Sequence, residues 1–312
     1  MILHIGYHKT ATSWLQRHVF NNPQSGLRTI GKAGEHHPVR QLVRAQALGF
    51  EAGEHRTRME ALIQPIREEG LVPVVSWERL SGHPVSGGYD SKELADRLHA
   101  VFPEAKVLAV IREQREVILS SYKQYVMGGG RASVEGFLEP PVSRNMRLPR
   151  FDFRFYEYEH LLGHYRSLFG RDAVLVLPFD QFTREPADFV GAICAFAGRP
   201  ASDGFLASLP YRDVRRPAYP VLALSIRRRG NAFGRRSELN PVPTLDSKLL
   251  RRVMKTAEHA THGRLVPDRM RAKHEASLRE TVDRILGDRY RESNRRTAEL
   301  VGLDLGAYGW PV

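Results

Sequence analysis

Cysteine is almost absent from this chain: Cys194 is the only one in 312 residues. No intramolecular disulfide can form, and no thiolate-rich metal site can be assembled. The histidines, His36 and His37 included, lack a ligand spacing with a metal-like partner, so no metal is expected. Long apolar runs are missing as well. No window approaches the roughly 18 uninterrupted apolar residues of a membrane span, and the N-terminus has no basic segment followed by an apolar stretch. A cytoplasmic protein in a reducing compartment is the expectation. Acid is in short supply too, with 35 Asp and Glu against 47 Lys and Arg, a formal charge of +12. Such a chain attracts anions in general: nucleotides, acidic glycans, membrane surfaces and nucleic acid. Internal repeats and low-complexity tracts are also absent.

What is present is a chain of ordinary globular composition, 42% hydrophobic and 26% charged, long enough to bury a full core. Short apolar runs alternate with helical periodicities over the first two thirds. Strands are expected at Ile2 to Ile5, Leu27 to Gly31, Val72 to Trp77, Lys106 to Ile111 and Ala173 to Leu177. Helices are expected near Thr12 to Phe20, Val39 to Leu48, His55 to Arg67, Ser91 to Phe102, Arg115 to Val126, Ser133 to Leu138, Tyr156 to Phe169 and Pro186 to Ala197. Alternation of this kind predicts an α/β fold, a mostly parallel sheet flanked by helices in three layers. The glycine-rich stretch Ser81 to Tyr89 has the length of a lid or substrate loop. Beyond Arg199 no strand is expected; helical patterns return at Leu249 to His259 and Leu278 to Tyr290. The expectation is one domain over 1–312, an α/β core at 1–198 carrying a basic helical extension at 199–312.

The stretch His4 to Gln16 organises the rest. An apolar strand ends at Gly6, a helix begins near Thr12, and Lys9 followed by Thr10, Thr12 and Ser13 lies between them. Helix N-terminal N–H groups together with a lysine suit a phosphate or sulfate. The triphosphate loop G-x-x-x-x-G-K-[ST] needs a second glycine, which is missing here, and in this chain Lys9 comes only three residues after Gly6. A second anion site follows the Lys106 to Ile111 strand, where Arg112 precedes Ser120 by eight positions; a guanidinium fork and a hydroxyl suit phosphate.

These stretches resemble the sulfotransferases that use 3′-phosphoadenylyl sulfate (PAPS), bacterial and carbohydrate-type members in particular. Lys9, Thr10, Ala11, Thr12, Ser13 and Trp14 fill the places of that family's 5′-phosphosulfate loop, with Ala11 where glycine is usual, and His8 just precedes it. Arg112 and Ser120 fill the places that bind the 3′-phosphate, with Glu113-Gln114 replacing the usual Asn-Pro or Asp-Pro. Phe153 to Gly198 and Tyr290 to Trp310 are similar to later stretches of the family. The resemblance spans residues 1–198 and about the last 25.

It implies a P-loop-like α/β fold, PAPS as cofactor with 3′-phosphoadenosine 5′-phosphate as product, and a small-molecule or glycan hydroxyl as acceptor. It also implies Lys9 at the bond that breaks, Thr12 and Ser13 on the 5′-phosphate with help from Thr10, and Trp14 stacked on adenine, with a helix position packed in the core as the competing role of Trp14. Phe179 is a further candidate for the adenine, and a core position is its competing role. Glu78, within a Ser-x-Glu at a strand end, is the expected catalytic base. Partial burial by Trp77 would raise its pKa, while a pairing with Arg79 is the competing role. His8, His18 and His83 are further candidate bases.

Two other readings stay open. A small-molecule kinase with a variant loop needs a magnesium-binding acid at a strand end, and the clearest strand ends in Arg112. A nucleic-acid or membrane-surface binder could use Arg212 to Arg236, with eight arginines against one acid. No aromatic stacking series or nucleic-acid motif accompanies them, so nucleic acid is the weaker partner. Peripheral contact with a membrane surface stays open, as do the acceptor and the oligomeric state.

Overall fold

The computed structural model describes residues 1–31, 34–141, 149–214, 221–233, 239, 247, 249–250, 252–254, 256 and 268–312. Five strands form one sheet: β1 (Ile2–Gly6), β2 (Leu27–Thr29), β3 (Val72–Ser76), β4 (Lys106–Ile111) and β5 (Val174–Pro178). Their order is β2-β3-β1-β4-β5, and every pairing is parallel. The central strands read as unbroken apolar runs because helices cover both faces. Side chains alternate between the faces. Ile2, Val74, Leu108 and Val110 enter one core, while Leu3, Val75, Val107, Ala109 and Ile111 enter the other. Complete burial of a side chain such as Leu108, 0% exposed, contributes about 1.5–3 kcal/mol.

One face is covered by α1 (Thr12–His18), α8 (Phe179–Arg184), α9 (Pro186–Phe196) and α10 (Asp203–Ser208). The other is covered by α2 (Pro38–Arg44), α3 (Ala52–Glu68), α4 (Ser91–Val101), α5 (Gln114–Met127), α6 (Val134–Leu138) and α7 (Tyr158–Phe169). Helices α11 (Val221–Gly230), α12 (Asp268–Leu286) and α13 (Arg291–Val301) follow. They add no strand among the described residues. Leu224, Val282, Leu286 and Trp310 join the core beneath α5 and α7. This is a three-layer α/β fold whose later third is helical.

Chain order makes β1 the switch strand. From β1 the chain turns to β2 on one side, and it later crosses to β4 and β5 on the other. The loops leaving β1 and β4 therefore diverge and leave a crevice at their carboxyl ends, where doubly wound sheets bind ligands. Lys9 and Arg112 lie on those two loops.

Some expectations shift. The helix expected over Val39 to Leu48 ends at Arg44 and is followed by a separate 3-10 turn, Ala47–Gly49. The stretch Ser81 to Tyr89 is no open lid. Ser81, Gly82 and Pro84 are buried, a 3-10 turn spans Pro84–Ser86, and a Cβ on Gly82 would lie 2.9 Å from the Cα of Gly88. Its glycines permit close approach of backbone segments. Much of the helix expected over Leu249 to His259 lies outside the described residues, as do Arg215, Arg216, Arg235 and Arg236 of the basic segment.

Candidate active site

The loop after β1 is strained at two non-glycine positions. Lys9 and Ala11 both have left-handed backbone, with φ of 66° and 63°, the only non-glycine positive values among the described residues. Ala11 thus departs from glycine at a position whose conformation favours glycine. Such strain collects where a loop must present its groups to a ligand. Alternating backbone hands of this kind turn successive N–H groups inward as an anion-binding concavity. Ala11 caps α1 with no side-chain hydrogen bond. The first-turn amides of Thr12 and Ser13 have no carbonyl one turn earlier to pair with.

Each loop side chain has a distinct place. Lys9 is exposed; Thr10 is buried, and its hydroxyl donates to the Tyr7 carbonyl at 2.5 Å, closing the loop on itself. A direct cofactor contact by that hydroxyl, as expected from sequence, competes with this bond. Thr12 Oγ1 is enclosed and has no hydrogen-bond partner among the described residues, while Ser13 is exposed. His8 packs its ring edge against His83 at 5.5 Å, and its Nε2 is enclosed without a partner among the described residues. Burial first, then the neighbouring His83, lowers its pKa to about 3, so the ring is neutral. His18 lies against Trp14, with ring centroids 5.3 Å apart.

Trp14 is packed in the core, the competing role left open by the sequence. Its ring is 6% exposed, stacked on Tyr211 at 5.6 Å and tilted against Phe182 at 4.8 Å, with Nε1 donating to the Pro210 carbonyl at 3.2 Å. Those partners occupy the indole, so stacking on adenine requires their displacement. Phe179 is only half-buried, and the Arg112 guanidinium lies 4.9 Å above its ring.

Arg112 is the meeting point of the two expected anion sites. Its Nη1 donates to the Lys9 carbonyl at 3.2 Å, and its Nη2 lies 3.4 Å from Glu116. Glu116 also pairs with Arg279 of α12. The turn is held from behind: Tyr158 donates to the Arg112 carbonyl at 2.6 Å, and Gln114 donates to Asn294 of α13 at 2.6 Å. Glu113 caps α5 by accepting from the Glu116 amide at 3.1 Å. Ser120 is half-buried two turns into α5. Helical spacing puts it on the side of Arg112 and Glu116, four residues apart in each step.

Glu78 stands against the start of the loop. Gly6 has φ of 82°, and a Cβ there would lie 2.9 Å from the Glu78 Cα. Only glycine satisfies both demands. The carboxylate of Glu78 has no hydrogen bond or ion pair among the described residues. Arg79, its expected competitor, makes a two-pronged pair with Asp90 instead. Sequence reading missed Gly6 as a packing requirement, with the lone glycine at the strand end as its only trace. It also missed Glu116, whose trace is its i, i+4 spacing from Arg112.

One group among the described residues gathers three potential metal ligands, Glu157, Glu159 and His160. His160 is within ion-pair distance of both carboxylates, and Glu159 also accepts from Ser293 at 2.5 Å.

Residues 91–203, from α4 through β4, Arg112, Ser120 and β5 into α10, match the model of the sulfotransferase family. The match covers 113 of the 312 residues. The Lys9 loop and Glu78 lie before it. Among solved structures the chain is similar to a sulfotransferase from Alicyclobacillus acidocaldarius, at 20% identity over 80% of this chain and 98% of that chain, with a TM-score of 0.48. No curated protein matches the chain.

Proposed function

We propose that the protein transfers a sulfuryl group from PAPS to a hydroxyl of a carbohydrate or glycolipid acceptor. The observation that carries this reading is the hydrogen bond from Arg112 to the Lys9 carbonyl, which joins two anion-binding segments across the switch point of the sheet. The family match over residues 91–203 supports the same chemistry. The donor fits the residues present. Thr12 Oγ1 is an enclosed hydroxyl lacking a partner among the described residues, the first-turn amides lack carbonyls one turn earlier, and Arg112 adds a guanidinium beside the half-buried ring of Phe179.

The donor supplies an activated sulfuryl group on a phosphate leaving group. In the proposed step, the acceptor oxygen forms a bond to sulfur as the sulfur–oxygen bond to the phosphate breaks. Glu78 takes the acceptor's proton. Lys9 offsets the charge that gathers on the leaving phosphate oxygen, with Thr12, Ser13 and the loop amides holding that phosphate. Arg112 and Ser120 hold the 3′-phosphate. Charge stabilisation and in-line positioning carry most of such a reaction, which is why a rigid, strained loop serves better than a mobile one.

Calorimetric titration with 3′-phosphoadenosine 5′-phosphate tests the reading. Saturable 1:1 binding, weakened at least tenfold in Lys9→Ala, is expected. An intact protein that takes up no nucleotide ends the proposal; magnesium-dependent ATP binding in its place favours a kinase.

A further inference from the structure

Between α2 and α4 the molecule holds a cavity of about 410 Å³ that Glu78 itself does not line. The residues on either side of Glu78, Trp77 and Arg79, both line it, together with Arg40 and Arg44 of α2 and Tyr89 at the end of the glycine-rich stretch. Four arginines and two acids face this space. The acids are already taken. Asp90 is gripped by Arg79, and Glu93 pairs with Arg97 at 2.5 Å, whose guanidinium also donates to the Leu42 and Ala45 carbonyls at 3.0 and 2.7 Å. Arg40 and Arg44 have no carboxylate partner among the described residues.

Arg40 is held in a ligand-ready position. Its guanidinium lies over the Trp77 ring at 5.6 Å from the centroid, which fixes the plane of its fork. Its Nε is enclosed without a hydrogen-bond partner among the described residues, a costly state for a charged group that an arriving acceptor oxygen relieves. Arg40 and Arg44 are also spaced i, i+4 on one helix, where like charges repel. An anion between them removes that repulsion. Tyr89, 66% exposed, adds an open aromatic face at the same cavity.

We infer that this cavity is the acceptor site and selects an acceptor bearing a carboxylate on the ring to be sulfated, the carboxylate held by Arg40 and Arg44, with Trp77 and Arg79 joining the cavity wall to Glu78 between them in the chain. The inference rests on the sulfuryl-transfer reading for the word acceptor; the anion selectivity of the cavity stands on its own residues. Preorganised forks recognise a planar carboxylate by two parallel hydrogen bonds. A neutral sugar leaves both guanidinium groups unmatched.

Two probes differing only in that group test it: 4-nitrophenyl β-D-glucuronide and 4-nitrophenyl β-D-glucoside, titrated into the full chain with and without 3′-phosphoadenosine 5′-phosphate. The glucuronide is expected to bind at least tenfold tighter. Arg44→Gln, at an exposed position, is expected to cut the ratio several-fold without disturbing folding, and Arg40→Gln to bring it near one. Circular dichroism checks both variants. Equal binding of the two sugars, no binding of either, or a ratio unchanged in both variants overturns the anionic cavity. A glucuronide preference in a protein that takes up no nucleotide keeps the cavity and removes the sulfuryl-transfer reading instead.

Discussion

Arg112, on the loop after β4, donates to the backbone carbonyl of Lys9, on the loop after β1, at 3.2 Å. The side chain with a phosphate-binding shape therefore also braces the loop that carries the lysine. Among the described residues its guanidinium also meets a ring face, Phe179, and a partly exposed carboxylate, Glu116. A phosphate can take over from Glu116 without moving the brace, since the pair is at 3.4 Å and surface pairs of this kind contribute little.

Arg112→Lys keeps the charge and loses the fork. The expected result is a nucleotide affinity reduced about tenfold or more, since a hydrogen bond to a charged group contributes about 1.5–3 kcal/mol. Arg112→Ala should bind still more weakly. Calorimetry with 3′-phosphoadenosine 5′-phosphate measures both. An Arg112→Lys variant with wild-type affinity shows that geometry at this position does not matter to the ligand.

Ala11→Gly should stabilise the protein by about 0.5–1 kcal/mol. A left-handed alanine costs about 1–2 kcal/mol, and glycine returns part of that gain through the freedom it adds to the unfolded chain. Gly6→Ala should do the opposite, because a Cβ there meets the Glu78 backbone at 2.9 Å and φ is 82°. Urea midpoints at constant m-value decide both. A destabilised Ala11→Gly protein means that the loop draws on the methyl group for packing.

Glu78→Gln separates chemistry from binding. With its carboxylate unpaired among the described residues, its loss breaks no ion pair, so folding and nucleotide affinity should stay within about twofold. The turnover number should fall by about 10²–10⁴, the range for removal of a general base. Labelled PAPS with a screened acceptor measures kcat, and a nucleotide titration measures affinity. Parallel losses in both indicate that Glu78 shapes the loop and does not take the proton.

The strands and the order of elements were legible because buried parallel strands are apolar throughout, as Val107 to Ile111 shows. Lys9 as a residue type was legible; its left-handed backbone was not, because lysine carries no mark of that conformation. The two roles open to Trp14 could not be separated for a related reason. An aromatic residue one turn into a helix looks the same in sequence whether its face meets a nucleotide or Tyr211, and the partner lies 197 residues further on. The glycines of Ser81 to Tyr89 suggested freedom and instead mark contact with Phe155 and Asp152. Arg40, Trp77 and Tyr89 converge only through tertiary packing, beyond the reach of any spacing rule.

His4 supplies a pH dependence with a definite sign. It lies in β1, fully buried, with Nδ1 2.7 Å from Ser76 Oγ and its ring edge-on to Phe20 at 5.2 Å. Burial lowers its pKa from 6.5 to about 3, and His8 is lowered to about 3 as well. Between these values the unfolded chain binds protons that the folded chain refuses. Stability contributed by the neutral rings is therefore present above pH 6.5 and lost as pH falls towards 3. From pH 7 to pH 5 each ring should cost about 2 kcal/mol, one pKa unit being about 1.4 kcal/mol. Urea unfolding at the two pH values should show the combined loss, and His4→Gln should remove about half of it while lowering stability at pH 7. A variant whose loss between pH 7 and pH 5 matches the wild type would mean that His4 is protonated in the folded protein, with Ser76 and Gln16 rearranged to hold the charge.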